Sequence, residues 1–399
     1  MGHSKVLYRA NHGKKEVTFS MAKMDEAKDG MMARMGVSRR DFLKVAGMGG
    51  LAAFGAALAG CSNGGTAASS ASAGSTEVAT DATQTVTDMG DTDVEVPTKV
   101  TTYADGWFAH NEVSIMLTGA KGMVATACDP KAYPWMYKIC PEMKNATLSF
   151  GDGFNFEELA ALEPQVIFDS KDALRDKADE VEIPVVNCLF KTFDEMKKSI
   201  ELTAEVFGGK APEIAKKYND ELDKTIKDIE KKTADIADVD RPKVMHGNSV
   251  YTLTIDGTGT IIDDWIKVAG GQNAVTENTT GNAQATFSME QVVAWNPDVI
   301  ITGKPGEAEQ ILADPNWASI KAVQDKKVYV NPKGVFGWDR YGVEELLQVQ
   351  WAASMLHPEL FEGLDIEKAV KDFYKTYLNY KLTDGDVQLI LAAQAPQEA

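Results

Sequence analysis

The sequence predicts an α/β fold in which two similar α/β domains are joined by one long helix. Two observations carry this: a duplicated helix-to-strand unit, and an amphipathic stretch lying between its copies. The copies are Phe156–Phe168 (FEELAALEPQVIF) and Ser288–Ile301 (SMEQVVAWNPDVII), which align without a gap so that Pro164 falls on Pro297. Each reads as a short amphipathic helix, a Pro that ends it, and an apolar run fit for a buried parallel strand. A repeat of such long period implies two domains rather than a solenoid. Between them, from Ala211 to Ile236, Ile214, Tyr218, Leu222, Ile226, Ile229, Thr233 and Ile236 recur at steps of three or four among Lys, Asp and Glu. That spacing predicts one helix of about 39 Å, a spine between the two domains, with Pro212 suited to its first turn.

The chain opens with residues 1–30, polar and irregular, followed by Ser38-Arg39-Arg40-Asp41-Phe42-Leu43-Lys44. An uncharged run from Val45 to Gly60 ends at Cys61; it is shorter than the ~20 residues a spanning helix needs and reads as a signal segment. Ser62 to about Gln84 is rich in Ser, Ala, Thr and Gly, a flexible tether with a reach of roughly 27 Å. Val86–Pro97 alternates around a Gly-Asp turn and predicts a hairpin.

Strand and helix pieces follow at Val100–Tyr103, Asn111–Thr118 and Met123–Thr126. An aromatic loop lies between Asp129 and Met143, a strand at Val181–Asn187, and a helix at Phe193–Phe207 that runs through Gly208-Gly209 into the spine. Beyond the spine, Arg241–Gly247 opens the second domain and Tyr251–Gly259 forms a polar turn. A helix at Thr260–Ala269, a strand at Lys327–Val330 and helices at Val343–Leu356 and Ile366–Tyr380 complete it. The expected layout is therefore an extension with export signal over 1–60, tether 61–84, first lobe 85–207, spine 208–238, second lobe 239–382 and tail 383–399.

Composition narrows the function. The net charge is −18, and residues 1–60 hold ten Lys or Arg against five Asp or Glu, which leaves −23 on the rest. So acidic a surface disfavours nucleic acid and anionic lipid. A receptor for a bare metal ion would need about three His and a carboxylate, but after Cys61 only His110, His246 and His357 remain. An exported cofactor-binding enzyme is the other alternative. The sequence offers it no Gly-rich nucleotide loop and no iron–sulfur cysteine spacing. Cys128, Cys140 and Cys188 fit either one disulfide with an odd thiol or three buried thiols.

Ser38–Lys44 resembles the twin-arginine export signal, with Arg39 and Arg40 as its pair, and Leu58-Ala59-Gly60-Cys61 resembles a lipobox, which implies lipidation at Cys61. VTDMGDTDVEVP, FNFEELAALEPQVI, VAGGQNAV, MEQVVAWNPDVIITG, DPNWASIKAVQDKKVYVNP and WAASMLHPELF, in that order over residues 85–380, resemble the periplasmic-binding-protein family of iron-siderophore, haem and vitamin B12 importers. The resemblance implies two Rossmann-like lobes joined by a single long helix, as in class III periplasmic binding proteins. It also implies a monomer without intrinsic cofactor or catalysis, lipid-anchored at the outer membrane face or cell surface, that hands a ferric siderophore, haem or cobalamin to an ABC permease and its ATPase. Members carry a glutamate on each lobe for the permease; Glu142 matches the first, the second falls at Gln272, and Glu277 is near enough to substitute.

In open α/β sheets ligands sit outside the strand carboxyl ends. The expected ligand-binding residues are Trp107, His110, Tyr133, Trp135, Tyr137 and Phe154 in the first lobe, and Tyr251, Trp338 and Arg340 in the second. Aromatic faces would cover the rim of a chelate, Tyr or His would hydrogen-bond it, and Arg340 would meet a carboxylate.

Overall fold

The computed structural model describes residues 82–150, 154–279 and 285–397. The export signal with Arg39 and Arg40, Cys61 and most of the tether lie outside them.

The expected hairpin forms from β1 (Thr83–Thr87) and β2 (Asp93–Pro97), antiparallel with Val86 opposite Val94. Asp88 shapes its turn, accepting from the backbone N–H of Gly90 (2.9 Å) and Thr92 (3.0 Å), as an Asx turn does. Its other oxygen takes Arg175 at 2.6 Å and so clips the hairpin to the first lobe.

That lobe is a parallel sheet of β3 (Tyr103–Asp105), β4 (Met123–Thr126), β5 (Thr147–Leu148), β6 (Ile167–Asp169) and β7 (Val185–Asn187), in the order β5-β4-β3-β6-β7. In the second lobe, β8 (Lys243–Gly247) precedes β9 (Thr254–Ile255), β10 (Gln272–Asn273), β11 (Ala285–Thr286), β12 (Val299–Thr302) and β13 (Val328–Val330). Its parallel sheet runs β10-β8-β12-β13, so β4-β3-β6-β7 of the first lobe is repeated in the same order.

The duplication extends to the backbone. Glu163 (φ 52°) and Asn296 (φ 44°), the aligned residues before Pro164 and Pro297, are both left-handed. A residue before Pro is disfavoured in the helical region, so each helix must end there, and the left-handed step turns the chain into β6 and β12.

The spine is the helix Ala211–Thr233, with Pro in its first turn and Ala211, Ala215, Tyr218, Leu222, Ile229 and Thr233 buried. Full burial contributes roughly 2 kcal/mol for each of Leu222 and Ile229. It stops short of Ile236, whose N–H turns back to the Thr233 carbonyl in a tighter turn. One apolar cluster runs from Trp107 and Val113 of the first lobe through Tyr218 and Leu222 of the spine to Trp265, Trp338 and Leu346 of the second. Tyr218 adds a hydrogen bond from its hydroxyl to the Val343 carbonyl at 2.8 Å.

Several elements differ from expectation. The strand read at 181–187 is only β7, because Glu182 takes φ 58° and Val181 is exposed. The aromatic loop contains the helix Pro134–Ile139 and a 3-10 turn Pro141–Asn145. Helices read as Val343–Leu356 and Ile366–Tyr380 run Glu345–Leu356 and Ile366–Tyr377. The tail holds a helix, Asp384–Leu391, started by a capping box between Thr383 and Asp386. That helix reaches the first lobe, where Asp386 pairs with Lys138 at 2.8 Å and the Gln394 carbonyl just beyond it accepts from Trp135 Nε1 at 2.8 Å. Cys128, Cys140 and Cys188 are buried free thiols.

Candidate ligand-binding site between the lobes

The loops after the strand carboxyl ends of the two lobes meet. After β3, Gly106 lets the backbone pass the Phe150 ring, which a Cβ would approach to 3.0 Å, and the turn delivers Trp107. After β13, the loop from Asn331 to Glu344 carries Lys333, Phe336, Arg340 and Tyr341. Tyr341 adopts φ 61°, a costly conformation for an aromatic residue, and its ring packs 5.7 Å from Trp107 and 5.6 Å from Phe190 of the first lobe. Tyr133 stacks between Phe108 of its own lobe (5.9 Å) and Phe336 of the other (5.6 Å). These contacts form an aromatic seam with one exposed edge at Phe108.

Two cations stand at this seam. Lys333 is half-buried, with its ammonium 5.4 Å from the Tyr133 ring centre and 3.5 Å from the Ala132 carbonyl, and it has no carboxylate within ion-pair reach among the described residues. Burial pulls its pKa below the ordinary lysine value, against the opposing charges of Asp339 and Glu344. Arg340 binds Asp339 through Nε (2.7 Å) and Asp256 at 3.3 Å. Behind it His246, at the carboxyl end of β8, lies between the same two carboxylates. Deeper still, Glu112 of the first lobe accepts from the Glu344 backbone N–H of the second at 3.5 Å. Both side chains are fully buried, and burial raises both carboxyls, that of Glu344 to about 7.

The expected site residues divide by placement. Trp107 and Tyr133 meet rings of the other lobe at the seam, and Arg340, next to the Tyr341 that makes one of those contacts, is held by Asp339 and Asp256 of its own lobe. His110 is not: its Nδ1 meets Asp105 and its Nε2 meets Thr203, both at 2.8 Å, inside the first lobe. Trp135 is buried under the closing helix, and Tyr137 donates to the Cys128 carbonyl at 2.7 Å. Phe154 is half-buried against Phe150 at 5.3 Å. Tyr251 donates to Asp314 at 2.9 Å, and Trp338 is fully buried with Nε1 bound to Glu344 at 2.9 Å. Glu142 is exposed just before β5 and Glu277 is exposed past β10. Gln272 opens β10, with its amide on the Asp238 carbonyl. Sequence reasoning missed Lys333, Phe336, Tyr341, Phe190, His246 and Asp256. Lys333, directly after Pro332 in the loop that follows β13, is the local signal available.

The family model described as periplasmic binding protein matches residues 115–334. The chain belongs to that family. Among characterised relatives, this binding protein is 31% identical over 274 residues to the molybdate-binding protein MolA of Haemophilus influenzae, covering 60% of this chain and 74% of MolA. It is 27% identical over 223 residues to the uncharacterized ABC transporter substrate-binding lipoprotein YvrC of Bacillus subtilis, covering 52% and 67%. A periplasmic solute binding protein from Veillonella parvula superposes with a TM-score of 0.65 at 27% identity, covering 78% of this chain and 97% of that one. The structure of MolA bound to molybdate gives a TM-score of 0.67 at 24% identity, over 75% and 99%, a likeness of fold. The class III architecture and the role of substrate-binding protein for an ABC transporter, working with a permease and ATPase, follow from this membership.

Proposed function

We propose that this binding protein captures a compact anion at the interlobe seam, with Lys333 as its principal charge contact and Arg340 beside it. The observation that carries the reading is Lys333: a half-buried ammonium with no carboxylate in ion-pair reach among the described residues is stable where an anion completes its coordination. Rings of opposite lobes already in stacking contact at 5.6 Å leave less room for a bulky chelate than for a small oxyanion such as molybdate, which the relative MolA binds by name. The iron chelate, haem or corrinoid expected from the family resemblance is a second reading, favoured by the exposed Phe108 edge stacked on Tyr133.

Trp107 supplies a fluorescence signal for titration with sodium molybdate, sulfate, ferric citrate, haemin and cyanocobalamin. Molybdate is expected to bind with Kd below about 10 μM, and Lys333→Met to weaken it about tenfold. Binding of cyanocobalamin with indifference to molybdate would replace the first reading by the second, and equal affinities in wild type and Lys333→Met would remove Lys333 from the site.

Delivery by this reading runs from a lipid anchor at Cys61 after twin-arginine export, with docking on the permease through Glu142 and Glu277. Gln272, which falls where the family carries its second glutamate, would meet the permease through an amide rather than a charge. Cys61→Ser and Glu142→Lys are each expected to lower cellular uptake of the cargo while leaving its binding to purified protein unchanged. Unaltered uptake in either variant sinks the corresponding half.

A further inference from the structure

We infer that His246 is a positioning residue of the cargo site: fixed between Asp256 and Asp339, the two carboxylates that hold Arg340, it sets the net charge that the bound anion meets. The inference rests on the anion reading above. His246 is fully buried in β8. Its Nδ1 lies 2.9 Å from Asp256 Oδ2, and its Nε2 lies 3.1 Å from Asp339 Oδ2, a bent contact within ion-pair range. The frame around it is pinned by backbone bonds: the Asp256 N–H donates to the His246 carbonyl at 2.9 Å, and Trp265 Nε1, from the helix Ile261–Val268, donates to the Asp339 carbonyl at 3.2 Å.

Carboxylate oxygens only accept, so a ring with one at each nitrogen is stabilised with both nitrogens protonated. Burial opposes that charge, yet the hydrogen bonds and charges of Asp256 and Asp339 outweigh it and the imidazole stands above its ordinary value. Arg340 and Tyr341 from the loop after β13 face the same two aspartates, and the Trp265 ring of the helix Ile261–Val268 meets the imidazole edge-on at 5.5 Å. Glu345 lies further out, its carboxyl raised by burial. With His246 protonated, two carboxylates face an imidazolium and a guanidinium and the cluster is neutral, leaving Lys333 as the uncompensated charge at the seam. Loss of the imidazole proton places a net negative charge behind Arg340, where it repels an anion and ties the guanidinium more tightly to Asp339.

The test compares wild type, His246→Gln and the double variant His246→Gln/Asp256→Asn, each checked for folding by thermal melting, in titrations with sodium molybdate. His246→Gln is expected to weaken binding about tenfold at pH 7. The double variant, again neutral, should recover to within about threefold of wild type. Wild-type affinity should fall as the pH rises past the point where the imidazole deprotonates, and His246→Gln should lack that fall. Separately, the His246 Cε1–H resonance of the unliganded wild type reads the charge directly. An imidazole neutral at pH 7, or a double variant as weak as the single one, overturns the inference. Wild-type protein that keeps an imidazolium yet binds no anion overturns the cargo reading instead.

Discussion

In each lobe a buried histidine pairs with an aspartate, His110 with Asp105 at the end of β3 and His246 with Asp256 just past β9, and the two pairs have opposite fates. In the first lobe Asp105 ends β3 and takes His110 Nδ1 and the Ser114 hydroxyl on one oxygen, while His110 Nε2 reaches Thr203. The Thr203 hydroxyl already donates to the Ser199 carbonyl at 2.9 Å, so it accepts from the imidazole, and His110 carries both protons. Among the described residues that cluster shows no hydrogen bond or ion pair to the loop after β13, and it meets the seam only where the His110 ring stacks 6.4 Å from Trp107. In the second lobe the same ingredients gain a second aspartate and an arginine, Arg340, whose neighbour Tyr341 packs on Trp107 of the other lobe. The duplication thus supplies a scaffold twice, and the loop after β13 turns one copy into a site.

Substitutions that treat the two clusters alike should therefore give unlike results, and the largest difference lies in stability. Asp105→Ala strands a buried imidazolium and should cost about 3–5 kcal/mol in urea unfolding, with anion affinity unchanged in the folded protein. Burial pulls the His110 pKa down, but the charge of Asp105 outweighs it and lifts the value to about 10. A folded value above the unfolded value of about 6.5 means a contribution complete below that pH and lost as pH rises toward 10. Wild-type stability should decline over that window, and Asp105→Ala should decline less. An Asp105→Ala protein as stable as wild type would erase the contrast between the lobes.

How far the sequence revealed this arrangement depends on whether a feature is local. The spine, the hairpin and both copies of the helix-to-strand unit are written in periodicity and in Pro164 and Pro297, so they were legible. The closing helix Asp384–Leu391 was equally local, announced by Thr383 and Asp386 ahead of an apolar run, and was overlooked as tail. The site was only partly legible because its members converge through the fold. Trp338 and Arg340 share one loop, yet its backbone turns Trp338 to Glu344 in the core and Arg340 to the Asp256 and Asp339 carboxylates. His110 and His246 look equivalent as isolated residues; only tertiary placement separates a structural imidazolium from one behind the cleft.

A smaller effect is expected where the lobes themselves meet. Glu112 and Glu344 face each other with no cation in ion-pair reach among the described residues: Glu344 is satisfied by Trp338, Tyr374 and the Phe336 N–H, whereas Glu112 Oε1 has no hydrogen-bond partner among them. Burial, then mutual repulsion, lifts the Glu112 carboxyl, and the pair titrates as a unit. Because the folded values lie above those of the unfolded chain, the pair's contribution is present below about pH 4.5 and is lost as pH rises through about 7. Glu112→Gln imitates the protonated acid at every pH. It should be near neutral at pH 5 and stabilise by about 1–2 kcal/mol at pH 8, read as a shift in the urea midpoint at each pH. An equal change at both pH values would show that the seam carries no shared proton. The contrast would then reduce to the His110 and His246 clusters alone.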